Sequence, residues 1–188
     1  MQHNGYVTIN IASYDDWRNA VLGNGYDVDG FYGDQCWDLA SEFWYNAGFG
    51  TGMPSTAGTG NAYDIWYDRV VNTGDKFDLI YNVQDIKRGD VIVYNYFTGN
   101  PYGHVSFADC DYSAGGWVYP ELPCLSQNNQ GTPYWAGGKF VDVHGYDISL
   151  FLGAFRFKAW HTTPPVPTTQ DKRFKWVLYA NRFRNGGR

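Results

Sequence analysis

Cys36 stands at the end of Asp27-Val-Asp-Gly-Phe-Tyr-Gly-Asp-Gln-Cys-Trp-Asp38, directly behind a loop crowded with carboxylates. If a helix begins there, unpaired N–H groups and the positive end of its dipole favour a thiolate, the nucleophilic form of cysteine. A buried structural thiol is the ordinary fate of a free cysteine, so the catalytic reading needs a base. His104, in Gly103-His-Val-Ser-Phe-Ala-Asp-Cys110, is the best candidate. His3 lies near the terminus, His144 in a Val-His-Gly-Tyr turn, and His161 opens a proline-rich stretch. Asn128, in Leu125-Ser-Gln-Asn128, could bond the far ring nitrogen and fix the tautomer that accepts the thiol proton. The order Cys, His, Asn suits a thiol hydrolase, although such triads are defined by geometry.

The loop has its own chemistry. Asp27, Asp29 and Asp38 bring hard oxygen ligands of the kind calcium takes. The spacing fails as an EF-hand, with Tyr32 at the glycine position and Asp38 in place of the closing glutamate. Taken alone, an Asp/Gly-rich turn with solvated or helix-capping carboxylates is the simpler account. Zinc is not expected, because no His/Cys cluster has ligand spacing.

These residues need elements to hold them. Cys36, Leu39, Ala40, Phe43 and Ala47 recur at three-and-four spacing, which predicts a helix over Gln35–Ala47, stopped by Gly48. Ser13-Tyr-Asp-Asp16 predicts the capped start of a first helix ending near Gly23, and 61–72 reads as a third. Strands are expected around 77–81, 90–95, 104–110, 124–128, 140–143 and 151–157. Alternation within 104–108 turns His104 away from the face that buries Val105 and Phe107. Helices first and strands after describe an α+β fold, with the site where the helical layer meets the sheet.

The segments Asp27 to Asp38, Arg88-Gly-Asp-Val-Ile-Val-Tyr94, Gly103-His-Val-Ser-Phe107 and Leu125-Ser-Gln-Asn128 resemble, in order and spacing, the signatures of a CHAP domain. This is the cysteine, histidine-dependent amidohydrolase/peptidase family of the papain-like NlpC/P60 group. The resemblance runs from about Ser13 to about Lys158 and is strongest to bacteriophage lysins. It implies a papain-like fold, N-terminal helices packed on an antiparallel sheet, that cleaves an amide bond of bacterial peptidoglycan. Cys36 would be the nucleophile and His104 the general base. It also implies calcium held by Asp27, Asp29 and Asp38 with the carbonyls of Phe31 and Gly33, bracing Cys36 without joining the chemistry. Gln35 could help hold the oxyanion beside the Cys36 N–H. Many relatives have Glu-Gln-Asn where this chain has Ser126-Gln127-Asn128, so the usual third carboxylate is replaced by serine. Asn128 then orients His104 alone, or Gln127 and Asn129 take those roles.

The chain of 188 residues is long enough for one good core, and aromatic residues make up 19% of it. Tyr63, Trp66, Tyr67, Trp117, Tyr119, Tyr134 and Trp135 could wall a groove for glycan or stem peptide, although sheet packing is the commoner fate of any one ring. Two parts are expected: residues 1–160 as the catalytic domain, and 161–188 as a Pro/Thr linker with a basic tail. In the tail, Lys172, Arg173, Lys175, Arg182, Arg184 and Arg188 face Asp171 alone, a net charge of +5 in a chain whose total is −5. Such a tail could dock on the acidic body, on anionic wall polymers, or on a virion tail protein. Nucleic acid is not an expected partner. Cys110 and Cys124 flank a hairpin and either pair or stay free. With no basic region followed by an apolar run at the start and no membrane-length segment, neither a signal peptide nor a membrane partner is expected. A phage protein that waits in the host cytoplasm or rides in the virion, then acts on the wall, would need neither. The rival reading is a catalytically silent wall-binding or tail-structural module.

Overall fold

In the computed structural model, which describes residues 1–128 and 140–161, Ser13 caps the first helix, α1 (Tyr14–Val21). Its Oγ accepts the Asp16 N–H at 3.1 Å, and Tyr14, Trp17 and Val21 are buried. The second helix, α2 (Cys36–Asn46), is capped from within: Asp38 Oδ2 accepts the Gln35 N–H at 2.9 Å. Leu39, Ala40, Phe43 and Ala47 are buried as their spacing required. Phe43 lies among the rings of Trp17, Trp44, Phe77, Phe107 and Phe157, at centroid distances of 5.2 to 6.1 Å, and pins the helix to the sheet.

The polar side of α2 is also covered, which its periodicity does not show. Residues 6–9 run along it as a strap: Tyr6 Oη meets Ser41 Oγ at 2.8 Å, Val7 N–H donates to Glu42 Oε1 at 3.1 Å, and Ile9 N–H donates to Asn46 Oδ1 at 2.8 Å. Glu42 is thereby buried, and desolvation pushes its carboxyl up to about 7. A carboxyl raised by folding contributes stability that is complete below the ordinary glutamate range and is lost as pH rises through the folded value. Glu42→Gln is therefore expected to flatten the fall in Tm between about pH 5 and about pH 8. An unchanged slope would refute this.

The strap begins as β1 (Gln2–Asn4), which pairs in parallel with β2 (Gly25–Asp27), two strands too short for a period to reveal. The helix expected over 61–72 is two short ones, α3 (Asp64–Tyr67) and α4 (Arg69–Thr73), broken at Asp68. The Asp68 carboxylate binds Ser55 Oγ and the Ala57 N–H, so it holds the neighbouring loop instead of facing solvent on a continuous helix.

The six-stranded sheet is antiparallel throughout, in the order β3 (Phe77–Ile80), β8 (Phe151–Phe157), β4 (Val91–Tyr94), β5 (His104–Ala108), β6 (Glu121–Ser126) and β7 (Asp142–Asp147). A last short helix, α5 (Lys158–His161), follows β8. Both faces are filled. Val91, Val93, Val105 and Phe107 join the helices in one cluster, while Ile92, Tyr94, Ala108, Leu122 and Cys124 form a second cluster on the other face. His144, expected in a turn, lies within β7, whose outer residues are exposed because it is an edge strand and shows little alternation. The acid of Arg88-Gly-Asp90 is structural: Asp90 is fully buried and takes a two-pronged bond from Arg156, at 2.9 and 2.7 Å. All three cysteines are free, and Cys124 Sγ meets Tyr94 Oη at 3.2 Å. The linker and tail beyond residue 161 lie outside the described residues. No helix among the described residues is long and apolar enough to cross a membrane.

Candidate active site

Cys36 is the first residue of α2, half-buried, with the helix packed on β5. Burial pushes its thiol up to about 11, which outweighs the downward pull of backbone groups at Val105, Trp37 and Cys36 itself. The helix start therefore acts in the expected direction, yet the net shift is opposite, because desolvation of the charged form is the larger effect. A nearby base is needed to take the proton.

His104 opens β5, is buried, and faces away from Val105 and Phe107. It shares two neighbours with Cys36. A Val105 backbone group hydrogen-bonds the thiol, and Tyr146, whose hydroxyl is raised first by burial and then by Cys36, stacks on the imidazole with centroids 4.1 Å apart and planes 6° apart. At its Nε2, His104 meets Ser126 Oγ at 2.9 Å, and Ser126 Oγ also lies 2.9 Å from the Val105 carbonyl.

The residue before the histidine must be glycine. Gly103 has φ +70°, and a Cβ there would come within 2.6 Å of the Tyr94 carbonyl and 2.8 Å of Tyr63 Cβ. Gly103→Ala is expected to cost about 1–3 kcal/mol and to displace His104. Chemical denaturation with a paired activity assay checks this, and an alanine variant of full stability and activity would refute it.

Asn128, expected to orient His104, donates from Nδ2 to Gln35 Oε1 at 2.8 Å. It sits in the left-handed region at φ 57°, and that backbone turn takes its side chain off the plain two-residue alternation from Ser126. Gln35 in turn donates from Nε2 to the Tyr32 carbonyl at 2.8 Å, so its amide plane is held from both ends beside the nucleophile. Asn129, the alternative partner, lies outside the described residues.

Gln127, expected only as an alternative partner of His104, has another role. Fully buried, it bonds Tyr26 in both directions, accepting N–H at 2.8 Å and donating to the carbonyl at 2.6 Å, and it reaches the Gln35 carbonyl at 2.9 Å. The end of β6 is thus tied to β2 and to the residue preceding Cys36, bracing nucleophile and base in one frame. Nothing local in the sequence signals this, nor the stacking of Tyr146.

Carboxylate oxygens of Asp27, Asp29 and Asp38 lie within 4.8 Å of one another. Desolvation, with like charge added, raises Asp29 and pushes Asp38 up to about 8. Backbone N–H groups bond one oxygen of each outer acid, Gly30 to Asp27 at 2.9 Å and Phe31 to Asp29 at 2.8 Å, and Val28 reaches Asp38 Oδ1 at 3.1 Å. Phe31 is exposed, and Gly33 has φ 68°, which shapes the loop that brings the acids together.

Of the aromatic residues expected to wall a groove, Trp66 belongs to the core, where Gly153 lets β8 pass flat against its ring: a Cβ at Gly153 would come within 2.2 Å of it. Trp117 packs against Tyr112 at 5.3 Å. Tyr63 contacts the exposed Tyr67 and Tyr96 at centroid distances of 6.2 and 5.3 Å, beside Gly103, and Tyr119 is exposed. Tyr134 and Trp135 lie outside the described residues.

A profile of the CHAP domain family matches residues 21–119, just over half of the chain. The D-alanyl-L-alanine endopeptidase of Streptococcus phage B30 is 35% identical over 158 residues, 83% of this chain and 32% of that protein. The chain thus spans about a third of the length of this curated relative. Among solved structures, the wild-type endolysin LysIME-EF1 superposes with a TM-score of 0.56 at 23% identity, over 83% of this chain and 66% of that one. Ly7917 gives 0.50 at 20% identity, over 79% and 62%. At these identities the two structures speak for the fold alone. The matched span covers Cys36 and His104 and ends before Ser126.

Proposed function

The chain belongs to the CHAP domain family, and from that premise we propose that it hydrolyses an amide bond of bacterial peptidoglycan with Cys36 as nucleophile and His104 as general base. The observation that supports this best is that the helix opening with Cys36 packs on β5, the strand that opens with the buried His104, two segments far apart in sequence.

His104 takes the proton of Cys36, and the thiolate attacks the scissile carbonyl carbon. The oxyanion forms beside the Cys36 N–H and the amide of Gln35, which Tyr32 and Asn128 hold in plane. Collapse breaks the C–N bond, and the leaving amine takes the proton from His104. Water, deprotonated by the same imidazole, then cleaves the thioester and returns the thiol.

The relative from Streptococcus phage B30 is named a D-alanyl-L-alanine endopeptidase, which favours that bond over the one between muramic acid and L-alanine. Mass spectrometry of digested walls tests the choice. The endopeptidase leaves stems ending in a free D-alanine carboxyl, whereas an amidase leaves glycan stripped of its stems. Walls unchanged by the protein would instead support a silent wall-binding or tail-structural module.

Calcium is the cofactor that the acidic loop would take. Three carboxylates within 4.8 Å, two of them raised by crowding and desolvation, form a hard-oxygen set that a divalent cation would neutralise. Asp27, Asp29 and Asp38 would hold it, with the Phe31 and Gly33 carbonyls completing the set. Its contribution would be to stiffen the loop that ends at Cys36. The protein would act at the cell wall after release from the host cytoplasm or from the virion, its basic tail meeting anionic wall polymers or a virion tail protein.

A further inference from the structure

We infer that Ser126 and Tyr146 are the positioning residues of His104: Ser126 fixes the imidazole tautomer, and Tyr146 fixes the ring plane and offers its π face to the imidazolium. The inference rests on the reading of His104 as general base and specifies what makes it one.

The Ser126 hydroxyl has a single proton and lies 2.9 Å from the Val105 carbonyl, 3.3 Å from the Gln127 carbonyl and 2.9 Å from His104 Nε2. Carbonyls can only accept, so these contacts are all satisfied when the hydroxyl proton turns to a carbonyl and the imidazole donates the bond at Nε2. A proton on Nε2 places the basic lone pair on Nδ1, the tautomer that can receive the thiol proton. When that proton arrives, Nε2 still donates and Ser126 still accepts. The hydroxyl therefore serves both protonation states without rotating, and no reorganisation is needed at the moment of transfer.

Tyr146 acts on the same ring from its face. With centroids 4.1 Å apart and planes 6° apart, it blocks tilting of the imidazole, and it is backed in turn by Tyr94 at 4.8 Å. The negative face of a phenol ring attracts the cation formed in catalysis more than the neutral imidazole. Strand register does not foreshadow the contact. Tyr146 pairs with Leu122, four residues back along β6 from Ser126, so the sheet must curl to bring it over His104.

The test compares full-length Ser126→Ala, Ser126→Thr, Ser126→Asp, Tyr146→Phe and Tyr146→Leu. It reads kcat and KM on purified peptidoglycan and the pH dependence of Cys36 alkylation by iodoacetamide. Thr and Phe, which keep the hydroxyl and the ring, should retain wild-type profiles. Ser126→Ala and Tyr146→Leu should lower kcat about tenfold or more at unchanged KM. The profile of Ser126→Asp should move upward by about one pH unit as a full charge favours imidazolium, and that of Ser126→Ala should move the other way. Thr and Asp are compared directly, so a misfolded alanine variant leaves the comparison intact. Coincident profiles for the Thr and Asp variants, or wild-type kcat in Tyr146→Leu, overturn the inference provided that Cys36→Ala is inert. A Cys36→Ala protein that still cleaves overturns the hydrolase reading itself.

Discussion

Cys36→Ala is expected to abolish lysis of Gram-positive cells, lowering the rate by at least about 10⁴-fold, while leaving the circular dichroism spectrum and Tm close to wild type. The loss is total because no other group can form the thioester. The fold survives because the substitution removes one sulfur from a helix that Phe43 and the Asp38 cap already anchor. A companion result follows from the raised thiol. With desolvation pushing Cys36 up to about 11, thiolate at neutral pH depends on a proton acceptor. His104→Ala should therefore confine alkylation of Cys36 to strongly alkaline solution, whereas the wild type reacts near neutrality. Equal reactivity in both would show that His104 does not take the proton. Lysis retained by Cys36→Ala would reduce the protein to a binding module.

The second large effect is expected from calcium. Free calcium at about a hundred times its Kd would stabilise the folded chain by about 2.7 kcal/mol, or roughly 5–10 °C in Tm for a domain of this size. Thorough chelation should remove that increment together with most of the activity, since the loop leads straight into Cys36. Calcium should restore both and zinc should not, because the donors are all oxygens. Asp29→Ala isolates the cation from the helix cap, since Asp29 bonds the Phe31 N–H within its own loop while Asp38 holds Val28 and Gln35. That variant should melt like the chelated wild type and ignore added calcium. Melting and activity unaffected by chelation would remove calcium from the description.

Much of the frame is legible in the residues themselves. The three-and-four spacing from Cys36 to Ala47 and the Ser13 cap mark α2 and α1 to within a residue or two, and alternation in 104–108 turns His104 to the face opposite Val105 and Phe107. The failures share a cause. Asp68 and Asn72 look like ordinary helix residues until the loop at Ser55 engages them, and β7 hides as an edge strand with little alternation. Gln127 reads as an unremarkable polar residue, yet its three bonds join segments some ninety to a hundred positions distant.

Residue types and local periods determined which groups could do chemistry: a thiol at a helix start, an imidazole on a strand, and three carboxylates in a tight loop. Those are short-range properties, set by backbone geometry within a turn or a few alternating positions. Tertiary structure alone decided that Ser126 meets His104, that Asn128 meets Gln35, that Tyr146 lies flat on the imidazole, and that burial raises the Cys36 thiol against the helix dipole. Each of these depends on sheet curl or on desolvation by distant chain, quantities summed over the whole fold, which no local pattern encodes.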